Sequence, residues 1–238
     1  MTIRIKHKFS DRLYINDESS KIDTIIIGTF NPGLPNSNIL TEQERKQFLQ
    51  VSNSTYFKSA QEILNLYDRS NNRFWKVMDM VNNHDFYKVD IKRHNPVGLK
   101  YYKSNGMDRH LTFERQKQFC KDKNILITDT IIEIEPKSFD GIYDYYNDKV
   151  IDGCVTMWNT TNIINMIKQY NPKRVLVNFN YNGLETPNIN YQISILRNTF
   201  AKLNIQRILS PSGAAKNSYV DLYNDWNRKL NSISFYEK

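Results

Sequence analysis

Three consecutive β-branched residues, Ile25-Ile26-Ile27, run straight into Gly28-Thr29-Phe30-Asn31-Pro32-Gly33, and no other stretch constrains the fold as strongly. An apolar run without polar alternation is a strand buried on both faces, which requires a sheet with a layer on either side. Gly28, Asn-Pro and Pro-Gly then stop the strand in a tight turn. In an open parallel sheet, ligands bind beyond the carboxyl ends of the strands, and this turn puts Asn31 there. A structural Gly/Pro turn, common in any α/β protein, is the other reading of the same residues.

Three further apolar runs repeat the theme. Ile125 to Ile132 reads as a second buried strand, interrupted by Asp129, a carboxylate that must find a partner or a ligand if buried. Arg174 to Phe179 and Ile205 to Leu209 read as a third and a fourth. Helical spacing fills the intervals: Phe74, Val77, Met78 and Val81; Leu111, Phe113, Phe119 and Cys120; Ile163, Ile164, Ile167 and Tyr170; Ile193, Leu196, Phe200 and Leu203. A last helix with Tyr219, Leu222, Tyr223, Trp226 and Leu230 begins at a capping box, Ser218 to Asp221. Alternation of strand and helix predicts an α/β fold, a three-layer α/β/α sandwich around a central four-stranded parallel sheet.

The 238 residues suit one domain, 1–238, with 1–22 as an N-terminal arm without visible chemistry and 34–70 and 136–158 as insert or lid segments. Two short capped helices are expected within the first insert, after Thr41 and after Ser59. The net charge of +8 favours a polyanionic partner such as nucleic acid, although a basic balance also serves solubility. Segment 84–110 carries His84, His94 and His110 among Lys, Arg and Tyr, at spacings that match no metal-ligand pattern. It reads as a basic, aromatic surface suited to a phosphate backbone, or as a solvated loop. Cys120 and Cys154 are isolated, and no run reaches the roughly 18 apolar residues of a membrane span. A cytoplasmic monomer with no membrane partner, metal or cofactor is expected.

The fourth strand runs into Ser210-Pro211-Ser212-Gly213-Ala214-Ala215-Lys216, a small-residue loop ahead of a helix, suited to phosphate or serving as a structural turn. Three stretches in this order, Phe30-Asn31-Pro32-Gly33, Asn72-Arg73-Phe74-Trp75 and Ser210-Pro211-Ser212-Gly213, resemble motifs of the uracil-DNA glycosylase superfamily, nearest to its mismatch-specific uracil/thymine branch. The resemblance spans residues 22–231 and rests on about twenty positions. The resemblance implies a uracil-DNA glycosylase-like fold and a monofunctional DNA glycosylase acting without cofactor on a flipped uracil, mismatched or modified pyrimidine in single- or double-stranded DNA.

By that resemblance Asn31 is catalytic and orients the attacking water. Gly28, Thr29, Phe30, Tyr67, Asn72 and Asp129 bind the base, with Tyr67 stacking on it and Phe57 as the other stacking candidate. Arg73, Ser210, Ser212, Gly213, Ala214 and Lys216 meet DNA, Gly213 and Ala214 as a blunt wedge. Four differences from the branch stand out: the Gly28 to Asn31 spacing, the long 34–66 segment, Ser210 in place of Asn or His, and Asp129. A carboxylate at the base-reading position suits cytosine's amino group as well as uracil N3–H. A glycosylase for bulky modified cytosine in foreign, phage DNA is therefore the second substrate reading. An inactive DNA-binding protein on the same fold, and a small-molecule enzyme using the same crevice, are readings of other classes.

Overall fold

The computed structural model describes residues 4–16, 19, 21–31, 33, 41, 66–67, 72–82, 112–136, 138–139, 142–143, 147–212, 215 and 217–231. In chain order, β1 (Ile5–Lys6) and a 3-10 turn (Ser10–Arg12) precede the apolar strand β2 (Thr24–Gly28). Helices α1 (Phe74–Val81) and α2 (Phe113–Asp122) follow, then β3 (Ile125–Asp129) and β4 (Ile131–Ile134). Next come the short pair β5 (Ser138–Phe139) and β6 (Ile142–Tyr143), helix α3 (Asp148–Asp152) and β7 (Val155–Trp158). The chain closes with α4 (Thr160–Tyr170), β8 (Arg174–Val177), α5 (Pro187–Thr199), β9 (Asn204–Arg207) and α6 (Tyr219–Asn231).

The central sheet has the order β3-β2-β8-β9 and every pairing in it is parallel. Register aligns the carboxyl ends: Gly28 lies opposite Asp129, and Ile27, Val177 and Arg207 form one row. Alternate residues of β2 face opposite ways, as a pleated strand requires. Ile26 joins a core with Phe74, Trp75, Met78, Phe119, Leu222 and Trp226 from α1, α2 and α6. Ile25 and Ile27 join the other core with Ile163, Ile167, Ile189 and Ile193 from α4 and α5. This is the three-layer α/β/α arrangement, with its four-stranded parallel sheet, that the alternation predicts.

The helices end as their sequences dictate. Thr112 Oγ1 accepts from Arg115 N at the start of α2, and Ser218 and Asp221 form the reciprocal capping box of α6. Asn171 closes α4 in the left-handed conformation (φ 44°). All eight residues of α1 are buried, because it lies between the sheet and α6.

One expectation needs correction. The run 125–132 is not one strand: β3 ends at Asp129, and after Thr130 the chain enters a second, antiparallel sheet of order β1-β4-β7. Segment 136–158, read as an insert or lid, holds the β5–β6 pair, α3 and β7. In the arm 1–22, Ile5 pairs with Ile134, and Ile15 exchanges backbone hydrogen bonds with Ile127 along the outer edge of β3. The helices expected after Thr41 and Ser59, Phe57, and segment 84–110 lie outside the described residues. No described helix is long and apolar enough to cross a membrane.

Candidate active site

Beyond the carboxyl ends of the strands lies an open hollow of about 520 Å3, within the range of about 300–1,000 Å3 usual for ligand sites. Thr29, Phe30 and Asn31 line it from the turn after β2, Tyr67 and Asn72 from the stretch before α1, and Ser210, Pro211, Ser212 and Ala215 from the loop after β9. Two walls were not foreseen: Asn147, Asp148, Lys149 and Ile151 around α3, and Asn178, Phe179, Asn180, Asn182, Glu185 and Thr186 after β8. The elements are brought together because parallel strands end at one rim.

Behind the hollow sits Asp129, with no solvent exposure. Its Oδ2 accepts from Asn31 Nδ2 at 2.7 Å and from His7 Nε2 at 2.7 Å, and its Oδ1 accepts from the Tyr67 hydroxyl. Phe9 N–H donates to His7 Nδ1 (3.1 Å), so the imidazole proton sits on Nε2, facing the carboxylate. With Nδ2 committed to Asp129, the Asn31 amide keeps its Oδ1 for accepting, the polarity needed to hold a water or a hydroxyl. Asp129 thus orients Asn31 and Tyr67 rather than lining the hollow; this is not the base-reading place expected for it. The physical reason is that a buried carboxylate is stabilised by internal donors, and three are at hand.

Two glycines make this packing possible. A Cβ on Gly28 would fall on the Tyr67 hydroxyl and the Asp129 carboxylate, and one on Gly33 would approach the Lys6 carbonyl to 2.8 Å. The N-terminal arm holds the Asn31 turn through that contact: Lys8 N–H donates to Asn31 O (2.7 Å) and Gly33 N–H to Lys6 O (2.9 Å). Asn159 Nδ2 donates to Asp129 O and Thr128 Oγ1, fixing the end of β3. Tyr67 is in the left-handed backbone region (φ 60°), and its ring stacks on Phe74 at 4.4 Å between centroids. Burial first, then the neighbouring Asp129, holds its phenol well above its usual pKa, so it stays a donor.

Arg73 is corrected more sharply. Only 3% exposed, it donates through Nε to Pro211 O, through Nη2 to Ser212 O and through Nη1 to Asn217 O, with its guanidinium 5.4 Å from the Tyr219 ring centre. It staples the 210–217 loop to α1 instead of facing phosphate, because a loop crossing a helix start leaves backbone carbonyls that need donors. Asn72 makes a turn ahead of α1, its Oδ1 accepting from Phe74 N, and bridges to Ser212. Ser210 is 8% exposed, and its Oγ accepts from Ser212 N. Gly213, Ala214 and Lys216 lie outside the described residues.

Sequence reasoning missed three side chains. His7 has no local signal, since its partner is 122 positions away. Asn178, 5% exposed and lining the hollow, turns its side-chain amide to the Tyr67 hydroxyl, and its nitrogen carries a second N–H that can serve a ligand. Asp148 lines the hollow with its pKa pushed up to about 6, by burial first and then by Asp129, against a hydrogen bond from Thr29. Position after a buried strand could have flagged Asn178; nothing local flags Asp148. Among the described residues no group of His, Cys, Asp and Glu could hold a metal.

Fold and hollow define the class: an open-sheet α/β protein with a polar site at the carboxyl rim. No protein-family model matches the chain, and no curated protein matches it. Among solved structures it is similar to a solution NMR structure from Methanosarcina acetivorans, assigned provisionally as a uracil DNA glycosylase. The identity is 13% over 92% of this chain and 96% of that chain, with a TM-score of 0.43. A likeness this distant transfers no activity.

Proposed function

We propose that the protein is a monofunctional DNA glycosylase of the uracil-DNA glycosylase superfamily type, hydrolysing the N-glycosidic bond of a flipped pyrimidine nucleotide. The observation that carries this reading is one hollow lined by both Asn31 and the 210–212 bend, with the Asn31 amide oriented from behind. Cleavage develops positive charge on the sugar and negative charge on the base, while water attacks. Asn31 Oδ1 holds that water. Tyr67 walls the base, and Asn178 Nδ2 supplies a donor to a base carbonyl as charge builds there. The net charge of +8 supports a DNA partner. Extruding the base costs a few kcal/mol, which contacts in the pocket offset.

Uracil or a mismatched pyrimidine is the nominal substrate. A bulky modified cytosine in foreign DNA is the second reading, and its support has moved from Asp129, which is buried, to the volume of about 520 Å3 and the amide-rich wall of Asn147, Asn180 and Asn182. The test is base release from oligonucleotides carrying uracil, thymine opposite guanine, hypoxanthine or substituted cytosines, scored as alkali-labile sites. Release by the wild type and its loss in Asn31→Ala, with DNA affinity held within a few fold, is the expected result. DNA binding without an abasic product from any base would instead make this a binding protein, and binding that is weak and indifferent to salt would favour a small-molecule enzyme.

A further inference from the structure

We propose that Asp148 is a catalytic residue of this site, its carboxylate taking the proton of the water that attacks the sugar; this rests on the glycosylase reading above. Hydrolysis needs an acceptor for that proton, and Asn31 is not one, because an amide oxygen orients water but is far too weak a base to deprotonate it. The other candidates are occupied or turned away. Asp129 is fully buried with both oxygens engaged, His7 is 2% exposed and committed to Asp129 and Phe9, and the Tyr67 hydroxyl is a donor. Among the described acids lining the hollow, Glu185 is paired with Lys149 at the exposed rim. Asp148 remains.

The fold holds Asp148 firmly. Its helix α3 is anchored at the opposite end by Asp152, 4% exposed, whose carboxylate accepts from Ile189 N (2.6 Å), Asn188 N (3.1 Å) and Asn188 Nδ2 (3.0 Å) at the start of α5. Ile151, 2% exposed, packs into the core beneath the same turn. Thr29, two residues before Asn31, hydrogen-bonds the Asp148 carboxylate from the β2 turn, and Asp148 and Asn31 line the same hollow. Among the described residues, the charged groups around it are Asp129 from β3, Asp152 on its own helix, and the Lys149–Glu185 pair at the rim. Burial, Asp129 and Asp152 raise its pKa to about 6, so the group is ionised at neutral pH yet basic enough to accept a proton.

In the step itself, the water oxygen forms a bond to C1′ as the C1′–N bond breaks, and that bond's electron pair leaves on the base. The water proton passes to an Asp148 oxygen, and the departing base takes a proton from solvent. The ionised carboxylate also faces the positive charge that builds on the sugar.

Asp148→Asn and Asp148→Glu test this, measured as single-turnover base release from pH 5 to 9 on the oligonucleotide that the wild type cleaves. Binding to an oligonucleotide with a tetrahydrofuran abasic site runs in parallel. Below about pH 6 the wild-type rate should fall with pH, about tenfold per unit once well below that value. Asp148→Asn should be roughly 100-fold slower and lack this limb, with abasic-site affinity within about threefold. Asp148→Glu should regain part of the rate and the limb, and it decides the matter should the Asn variant melt early. An Asn variant with the wild-type rate and limb, or one losing rate and affinity equally, overturns the assignment while leaving the glycosylase reading intact. Absence of base release by the wild type from every oligonucleotide removes that reading and this role with it.

Discussion

Asp129 is a buried carboxylate held by hydrogen bonds from an amide, a phenol and an imidazole, so each donor matters more than it would at the surface. Replacing His7 by Ala leaves Oδ2 with Asn31 alone. It should cost about 1–3 kcal/mol in urea unfolding, the penalty for an under-satisfied buried polar group. Base release should slow as the carboxylate that orients Asn31 loses one of its anchors. Asp148 acts in the opposite sense. Its folded pKa of about 6 lies above the usual 3.8, so between those values the native state binds the proton that the unfolded chain has lost. Stability contributed by this group is therefore present below about pH 4 and is lost as pH rises through about 6. Asp148→Asn should melt above the wild type at pH 7–8, and differential scanning fluorimetry should show the gap closing by pH 4. The interruption of an apolar run by Asp129 is visible in the sequence. Its partners are not, because His7, Asn31 and Tyr67 stand 122, 98 and 62 positions away.

At the scale of elements, Leu209, Pro211, Ser212 and Asn217 of the loop after β9 are held from three sides. Arg73 donates to its carbonyls, Asp225 accepts from Leu209 N (2.8 Å), and Trp226 Nε1 donates to Leu209 O (2.8 Å). Arg73→Lys retains the charge but loses the planar fork that reaches three carbonyls at once. It should lower the midpoint of thermal unfolding by several degrees and leave the salt slope of DNA binding unchanged, an outcome that a phosphate contact would reverse. The motif order Asn72-Arg73-Phe74-Trp75 is legible in the sequence; the inward direction of the guanidinium is not. Similarly, Ile125 to Ile132 reads as one strand because periodicity reports burial and not sheet membership. Only the Thr130 hydrogen bonds back to Gly28 O, through both N–H and Oγ1, reveal where the chain leaves the parallel sheet. Helix α3 has five residues, too few for an amphipathic pattern, and is set by Asp152 reaching α5.

For the molecule as a whole, a net charge of +8 on 238 residues makes phosphate contact the main source of affinity in the proposed function. Binding to a 20-base-pair duplex should weaken as salt rises from 50 to 200 mM, roughly 100-fold if four phosphates are neutralised, and fluorescence anisotropy at several salt concentrations measures the slope. The amino-acid sequence by itself determined the α/β class, the four parallel strands, the start of the last helix and the turn that carries Asn31, since all follow from burial periodicity and local turn and cap chemistry. The tertiary structure alone decided that Asp129 faces inward, that Arg73 is a staple, and that His7, Asn178 and Asp148 gather around the strand ends. Those outcomes depend on contacts between distant segments, where the deciding energy is desolvation of polar groups that local spacing does not encode.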